Sequence, residues 1–316
     1  MIGLSQVYAL GGLMFGAFAW LSLRDRTNRN RIGNAGFWGL LAISFIFGSR
    51  LGDLANGVLV IALILLGGTG RMGRGAPSTT SAEQRAARAA SCGNLLFLPA
   101  LTIPAVAIGG TLLLGIPLRG VHWVDPNQVT IVSLALGTLI ALGVAMAELR
   151  PPLLASLEEG RRLADTIGWA AILPQLLAAL GAVFAFSGVG TAVGALATSW
   201  LPLDHPFAAV AAYCIGMALF TAVMGNAFAA FPVMTAAVGV PLIIRKFGGD
   251  PAIVGALGML AGFCGTLTTP MAANFNIVPA VLLELPGNAV IRVQIPTAIP
   301  LLACNLLLMY LLAFRF

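Results

Sequence analysis

Read as alternating apolar and polar stretches, the chain is a series of apolar runs separated by short, Arg-rich links. The runs approach the roughly 20 residues a helix needs to cross hydrocarbon. The first covers residues 4–23, and the Arg24, Arg26, Arg29, Arg31 cluster follows it. No basic segment precedes it, which predicts a retained first span with its N-terminus outside and the arginines in the cytoplasm. Residues 37–66 are too long for one span and are split by Arg50 and Asp53. They predict two short spans joined by a tight outer turn, where Arg50 and Asp53 have the spacing of an i, i+3 ion pair. Residues 69–93 read as a polar loop ending in a small Ala/Arg helix. Residues 95–114, interrupted by Pro99 and Pro104, and residues 129–147 are the next spans. Residues 148–167 mix apolar positions with Glu158, Glu159, Arg161 and Arg162, the pattern of an amphipathic helix on the cytoplasmic face.

A further span covers 169–186. The Gly-rich stretch 188–201 is short for a crossing, and charge does not decide whether it crosses. Residues 204–206, Asp-His-Pro, predict a helix start with Asp204 as cap. A last span covers 295–314. The expected fold is an all-α polytopic membrane protein of about nine or ten membrane segments. Residues 1–206 would be mainly scaffold, 207–285 a binding region and 286–316 a C-terminal span.

Composition fixes the same class. Of 316 residues 59% are hydrophobic and 9% charged, against about a quarter charged in soluble domains. The ten-residue alternation of an outer-membrane barrel is missing. The net charge of +6 comes from arginines in the links, as positive-inside topology requires, and does not indicate nucleic-acid binding. Cys92, Cys214, Cys264 and Cys304 form no CxxC pair, so neither a disulfide framework nor a metal site is expected. Three of the four fall in apolar spans, where they would pack as small core residues.

Candidate chemistry concentrates in residues 207–285. Two apolar arms each carry a polar, helix-breaking interruption. The first holds Met224-Gly225-Asn226-Ala227, with Pro232 behind it. The second holds Cys264-Gly265-Thr266-Leu267-Thr268-Thr269-Pro270, then Asn274 and Asn276. Lipid offers no hydrogen-bond partners, so broken backbone at membrane depth implies cover by protein or a cavity. Two neighbouring breaks therefore point to a solute or ion site near the midplane. The first arm fits either two full spans or a re-entrant hairpin. Its Asn226 amide can serve a cation or an anion, and a helix starting at Ala227 or Phe228 would aim its amino end at the tip. In the second arm Gly265 would end one half-helix and Pro270 open the next, with the hydroxyls of Thr266, Thr268 and Thr269 between. Glu284, near the arm's end, reads as interfacial. The broken arms carry no mid-span carboxylate, which favours sodium over proton coupling.

The strings FTAVMGNAFAAFPVMTA and GFCGTLTTPMAANFNIVPAVLLEL closely resemble a bacterial membrane-protein family known as domain of unknown function 979. More distantly, Gly225-Asn226-Ala227 and Gly265-Thr266-Leu267…Thr269-Pro270…Asn274 resemble the hairpin-tip and unwound-helix signatures of the ion-transporter superfamily, which includes divalent-anion/sodium symporters working by an elevator motion. The resemblance implies a hairpin and a broken helix that enclose substrate and sodium, with sodium at Asn226, Thr266 and Thr269. Gly225 and Ala227 stand where that superfamily has hydroxyl residues. It also implies two such sets, whereas this chain carries one, so a second membrane subunit or a homodimer would supply the other. Genes of the closer family tend to neighbour a second small membrane protein and pyroglutamyl peptidase, which implies 5-oxoproline or a related carboxylate as substrate.

The expectation is a subunit of a sodium-coupled secondary transporter for a small organic anion, in the bacterial inner membrane, without an organic cofactor. The alternatives are a non-transporting partner that stabilises another transporter and an intramembrane enzyme. For the enzyme the chain offers no HExxH, no expected buried carboxylate pair and no histidine beside a nucleophile.

Overall fold

A computed structural model describes residues 1–75, 81–117, 122–152, 154–200, 203–283, 285–286 and 288–314. Glu284 and the side chain of Asn274 lie outside the described set. Among the described residues the fold is all-α, with one isolated bridge between Ile2 and Val124. Among the described residues seven helices are long and apolar enough to cross a membrane, and Arg31–Phe47, Asp53–Gly68 and Pro251–Thr266 are shorter apolar helices. The protein is a polytopic helical membrane protein. It divides into two compact units, Met1–Gly168 and Trp169–Phe316.

The first unit contains α1 (Leu4–Arg24), α2 (Arg31–Phe47), α3 (Asp53–Gly68), α4 (Ala82–Cys92), α5 (Phe97–Leu114), α6 (Val129–Leu149) and α7 (Ala155–Ile167). The two short helices expected within 37–66 are α2 and α3. The Arg50–Asp53 ion pair expected at their turn does not form. Asn56 ties the turn instead, its amide donating to the carbonyls of Gly48 (3.0 Å) and Leu51 (3.1 Å). The small Ala/Arg helix is α4, started by a capping box in which Ser81 and Gln84 each accept the other's backbone N–H. Helices α5 and α6 pair closely where Gly110 meets Ser133 and Gly137 meets Ile103.

The amphipathic helix is shorter than 148–167. Arg150 takes a left-handed conformation and Pro151-Pro152 follow, so the helix starts only at Ala155. Its polar face does not simply meet water. Arg161 and Asp165 are buried, with the Arg161 Nη1 atom 3.0 Å from the Oδ2 atoms of both Asp25 and Asp165.

The second unit contains α8 (Leu173–Phe186), α9 (Val189–Trp200), α10 (Pro206–Met224), α11 (Ala227–Met234), α12 (Pro251–Thr266), α13 (Val278–Leu282) and α14 (Ala289–Ala313). It begins upstream of residue 207 because α8 and α9 pack on the hairpin, Gly181 against Ala229 and Gly194 against Ala237. Helix α9, with 12 residues or roughly 18 Å, is shorter than the hydrocarbon core. Asp204 does not cap α10. It pairs with Lys246 (3.3 Å), and His205 holds the cap position without a side-chain bond.

Helix α11 runs on as a wider π-helix over Thr235–Lys246. Pro232 in α11 and Pro241 in the π-helix donate no hydrogen bond, and wider winding at Pro241 relieves the clash of a proline ring with the preceding turn. Helices α10 and α11 fold back as an antiparallel hairpin. Tyr213 bonds Thr235 at 2.9 Å, and Gly216 abuts Met234. Helix α12 runs parallel to α10, since Gly258 meets Tyr213 and Gly262 meets Met217 and Thr221. Small residues let these backbones approach closely, as membrane helices require when lipid supplies no hydrophobic drive for association. The core of the unit is Tyr213, Cys214, Met217, Val238, Val254 and Met309, all essentially inaccessible. Cys214 and Cys264 are buried as expected, whereas Cys304 is exposed.

Gly265 tests this packing. A Cβ there would collide with the Ala218 carbonyl, while at Gly255 on the same helix the nearest atom is 3.9 Å away. Gly265→Ala is expected to cost about 1–3 kcal/mol, seen as a lower thermal midpoint in detergent. Gly255→Ala is expected to hold or raise that midpoint.

Candidate functional site

The hairpin tip is built by two residues with distinct tasks. Gly225 ends α10 in the left-handed region, φ 75°, where glycine is the least strained choice, and its N–H reaches the Thr221 carbonyl at 2.7 Å. Asn226 turns to extended backbone and caps α11. Its Oδ1 accepts the Phe228 N–H at 2.8 Å, and its carbonyl accepts from Ala229 and Ala230.

The broken helix sits directly against this tip. Helix α12 continues to Thr266, one residue beyond Gly265. The chain then runs irregularly to Ala272, and helical winding resumes at Ala273–Ile277 and α13. Pro270 therefore does not open the second half; it lies exposed in a turn three residues before it. A Cβ on Gly225 would lie 2.7 Å from the Met271 Cβ and carbonyl oxygen. The tip and the break are thus in contact, which the parallel run of α10 and α12 makes possible.

Their depth follows from α14, which runs antiparallel to α12. Asp250 N–H bonds the Ala313 carbonyl, and the Asn305 amide reaches the Cys264 sulfur at 3.5 Å. Asn305 is roughly 12 Å from one end of α14 and 24 Å from the other. The break thus lies alongside the interior of α14, and the two arms of the hairpin, Pro206–Met224 and Ala227–Lys246, are each long enough to cross a membrane.

Asn276 holds the break together. Its Nδ2 donates to the Thr266 carbonyl at 2.9 Å and the Thr269 carbonyl at 2.6 Å, and the residue is 1% exposed. Two carbonyl partners require a donor there, so the other amide atom is oxygen, and it is buried without a partner. The hydroxyls are partly engaged locally. Thr268 donates to the Gly265 carbonyl (2.8 Å), Thr266 donates to the Phe263 carbonyl (2.6 Å), and Thr269 accepts the Met271 N–H (3.3 Å). Thr266 and Thr269 are buried and keep lone pairs.

A cavity of about 50 Å³ lies where tip and break meet, lined by Gly225, Asn226, Ala227, Thr266 and Ala272, with Leu173, Leu177, Phe228, Phe263 and Phe275 as its apolar walls. The structure thus brings together Gly225, Asn226, Ala227 and Thr266 around one space. Thr269 and Asn276 stand behind it, Thr268 turns back on α12, and Pro270 faces out. Ala227 is 1% exposed and packs towards Gly262. With glycine demanded at 225 and a methyl packed at 227, the tip presents Asn226 as its polar side chain.

Sequence reasoning passed over Thr221. It is fully buried one turn before Gly225, and its hydroxyl has no partner. The visible signal was a lone threonine four residues before the tip glycine in an otherwise apolar run.

Asn276→Ala would leave two carbonyls of the break without their donor, at a cost of about 1–3 kcal/mol each. The expected outcome is a lower thermal midpoint and faster amide exchange in residues 267–272. Asn276→Asp, which cannot donate when ionised, is expected to behave like the alanine variant.

No curated protein and no solved structure matches the chain. The family model described as protein of unknown function (DUF979) matches residues 5–314, nearly the whole length, and the chain belongs to that family.

Proposed function

We propose that this protein is a subunit of a secondary transporter for a small organic anion, with sodium and anion bound where the hairpin tip meets the broken helix. One observation carries the reading: three helix ends converge on one cavity whose lining includes Asn226 and Thr266. Helices α10 and α12 arrive with their carboxyl ends, and α11 leaves with its amino end. Helix carboxyl ends carry partial negative charge and favour a cation, while amino ends favour an anion. A cation and a carboxylate side by side fit that field, in the manner of discontinuous transporter helices.

The residues divide accordingly. Asn226, Thr266 and Thr269 are the oxygen donors for sodium, with Asn276 fixing the carbonyls beside them. The amino end of α11 faces the anion. The cavity of about 50 Å³ suits an ion or one or two waters, at about 30 Å³ each. A five-carbon carboxylate such as 5-oxoproline is larger, which supports a site completed by a second membrane subunit, of another kind or a second copy. In this reading the hairpin unit carries the ligand across the bacterial inner membrane by an elevator motion.

The test is thermal stabilisation of the purified protein by sodium and a panel of small carboxylates, followed by sodium-dependent uptake in proteoliposomes. A ligand that binds the folded state raises apparent stability by mass action. Sodium is expected to raise the midpoint, and Asn226→Ala and Thr269→Ala to reduce uptake at least about tenfold, roughly 1.4 kcal/mol. Uptake unchanged in both variants would sink the assignment.

A further inference from the structure

The first unit holds a buried charge cluster that the transport reading does not use. It lies where α7 meets the end of α1 and the face of α2. Arg161 Nη1 donates to Asp165 Oδ2 at 3.0 Å and stands equally 3.0 Å from Asp25 Oδ2. The three side chains are 3–6% exposed. Trp38, 1% exposed, donates its indole N–H to Asp165 Oδ1 at 2.7 Å. Phe15 stacks on Trp38, and Phe18 and Phe37 meet it edge-on, so the cluster has apolar walls.

Residues 70–75 lie over it as a strap. Asn34 clasps Gly73 in both directions at 2.8 Å, Asn28 donates to the Gly73 carbonyl at 3.0 Å, and Arg74 reaches the Thr166 carbonyl at 3.4 Å. Gly75 rests against the Asp25 carboxylate.

Within the buried trio two carboxylates share one guanidinium, a surplus negative charge that the exposed Arg74 and the Glu159-paired Arg162 meet only from the rim, and an uncompensated buried charge is costly. We propose that Asp25, Arg161 and Asp165 form a proton-binding latch, in which one proton taken up by the paired carboxylates neutralises the cluster and fixes α7 and the 70–75 strap against α1 and α2. Proton loss restores the surplus charge, which draws in water and loosens both segments.

The charged groups facing Asp165 are Arg161 on its own helix, Asp25 after α1, and Arg162 and Arg74 around a cavity of about 10 Å³. From α2 it meets the neutral Asn34 and Trp38. Burial pushes the Asp165 carboxyl above the usual range despite the bonds from Trp38, Asn34 and Arg161. At Asp25 burial pushes the same way, but the hydrogen bonds from Thr27 and the Arg161 charge outweigh it and hold the carboxyl below that range. A raised carboxyl stabilises the fold while protonated, and that contribution is lost as pH rises through its raised value. A lowered one stabilises while ionised, and its contribution is lost on acidification through its lowered value. Between the two values a single proton resides on Asp165 and the cluster is neutral.

The test uses the full-length protein in lipid nanodiscs from about pH 4 to about pH 9, covering the range above the ordinary carboxyl value of about 3.9. It follows the infrared band of a buried protonated carboxyl, and hydrogen exchange over 155–167 corrected for its intrinsic pH dependence. With rising pH, the unmodified protein is expected to lose the band while exchange over 155–167 rises at least about tenfold beyond that correction. Asp165→Asn, a mimic of the protonated form, is expected to lack the band and stay protected throughout. Asp25→Asn leaves Asp165 alone with Arg161, so it is expected to lack the band and show a flat profile, which keeps the test decisive if the first variant does not fold. A missing band in the unmodified protein overturns the proposal. So does a band without a change in protection, or a variant that titrates like the unmodified protein.

Discussion

Gly225 presses against Met271 where the hairpin tip meets the broken helix, and the second unit is arranged so that this contact can exist. Both segments are irregular backbone, and where lipid supplies no partners their N–H and C=O groups need protein ones. The hairpin tip satisfies them with its own cap, Asn226 Oδ1 on the Phe228 amide. The break satisfies them through Asn276, which reaches back to the carbonyls of Thr266 and Thr269. For the two to meet, α10 and α12 must run parallel at close range. Gly258, Gly262 and Gly265 permit that by leaving room for Tyr213, Met217 and the Ala218 backbone. The small-residue face of α12 is thus the precondition of the site.

The same contact sets the chemistry. Two carboxyl ends and one amino end of helices meet around a cavity whose polar lining is sparse and whose walls are leucine and phenylalanine. Where such walls exclude water, fixed backbone dipoles act at low dielectric and count for more than they would in water. The first unit shows the other way of handling polarity. It buries a full ion cluster under a strap held by asparagine amides, on a helix whose composition suggests a solvated face. The two units use amide side chains alike, as clamps on backbone that would otherwise lack partners.

Much of this was legible in the sequence. Apolar runs separated by arginines gave the helical membrane class, and the paired interruptions located the tip and the break to within a few residues. Gly225 and Asn226 were readable because their turn chemistry is local. The roles of Asn276 and Thr221 were not, since both depend on partners that only tertiary packing brings near. Pro270 misled for a related reason: proline suits a first helical turn, but the Asn276 clamp delays the second half-helix to Ala273. Asp204 looked like a cap until Lys246, 42 positions away, offered it a charge. Arg161 read as part of the polar face of an amphipathic helix, and no buried carboxylate pair was expected, because helical spacing cannot show that Asp25, Asp165 and Trp38 gather around it.

The most direct measurement is thiol labelling at the cavity itself. Ala272→Cys, in a background with the four native cysteines replaced by alanine, places a reactive group in the lining where tip and break meet. If this is one ion and anion site, labelling is expected to slow when sodium is added and to slow further with the transported carboxylate. A labelling rate indifferent to sodium and to every anion in the panel would contradict it.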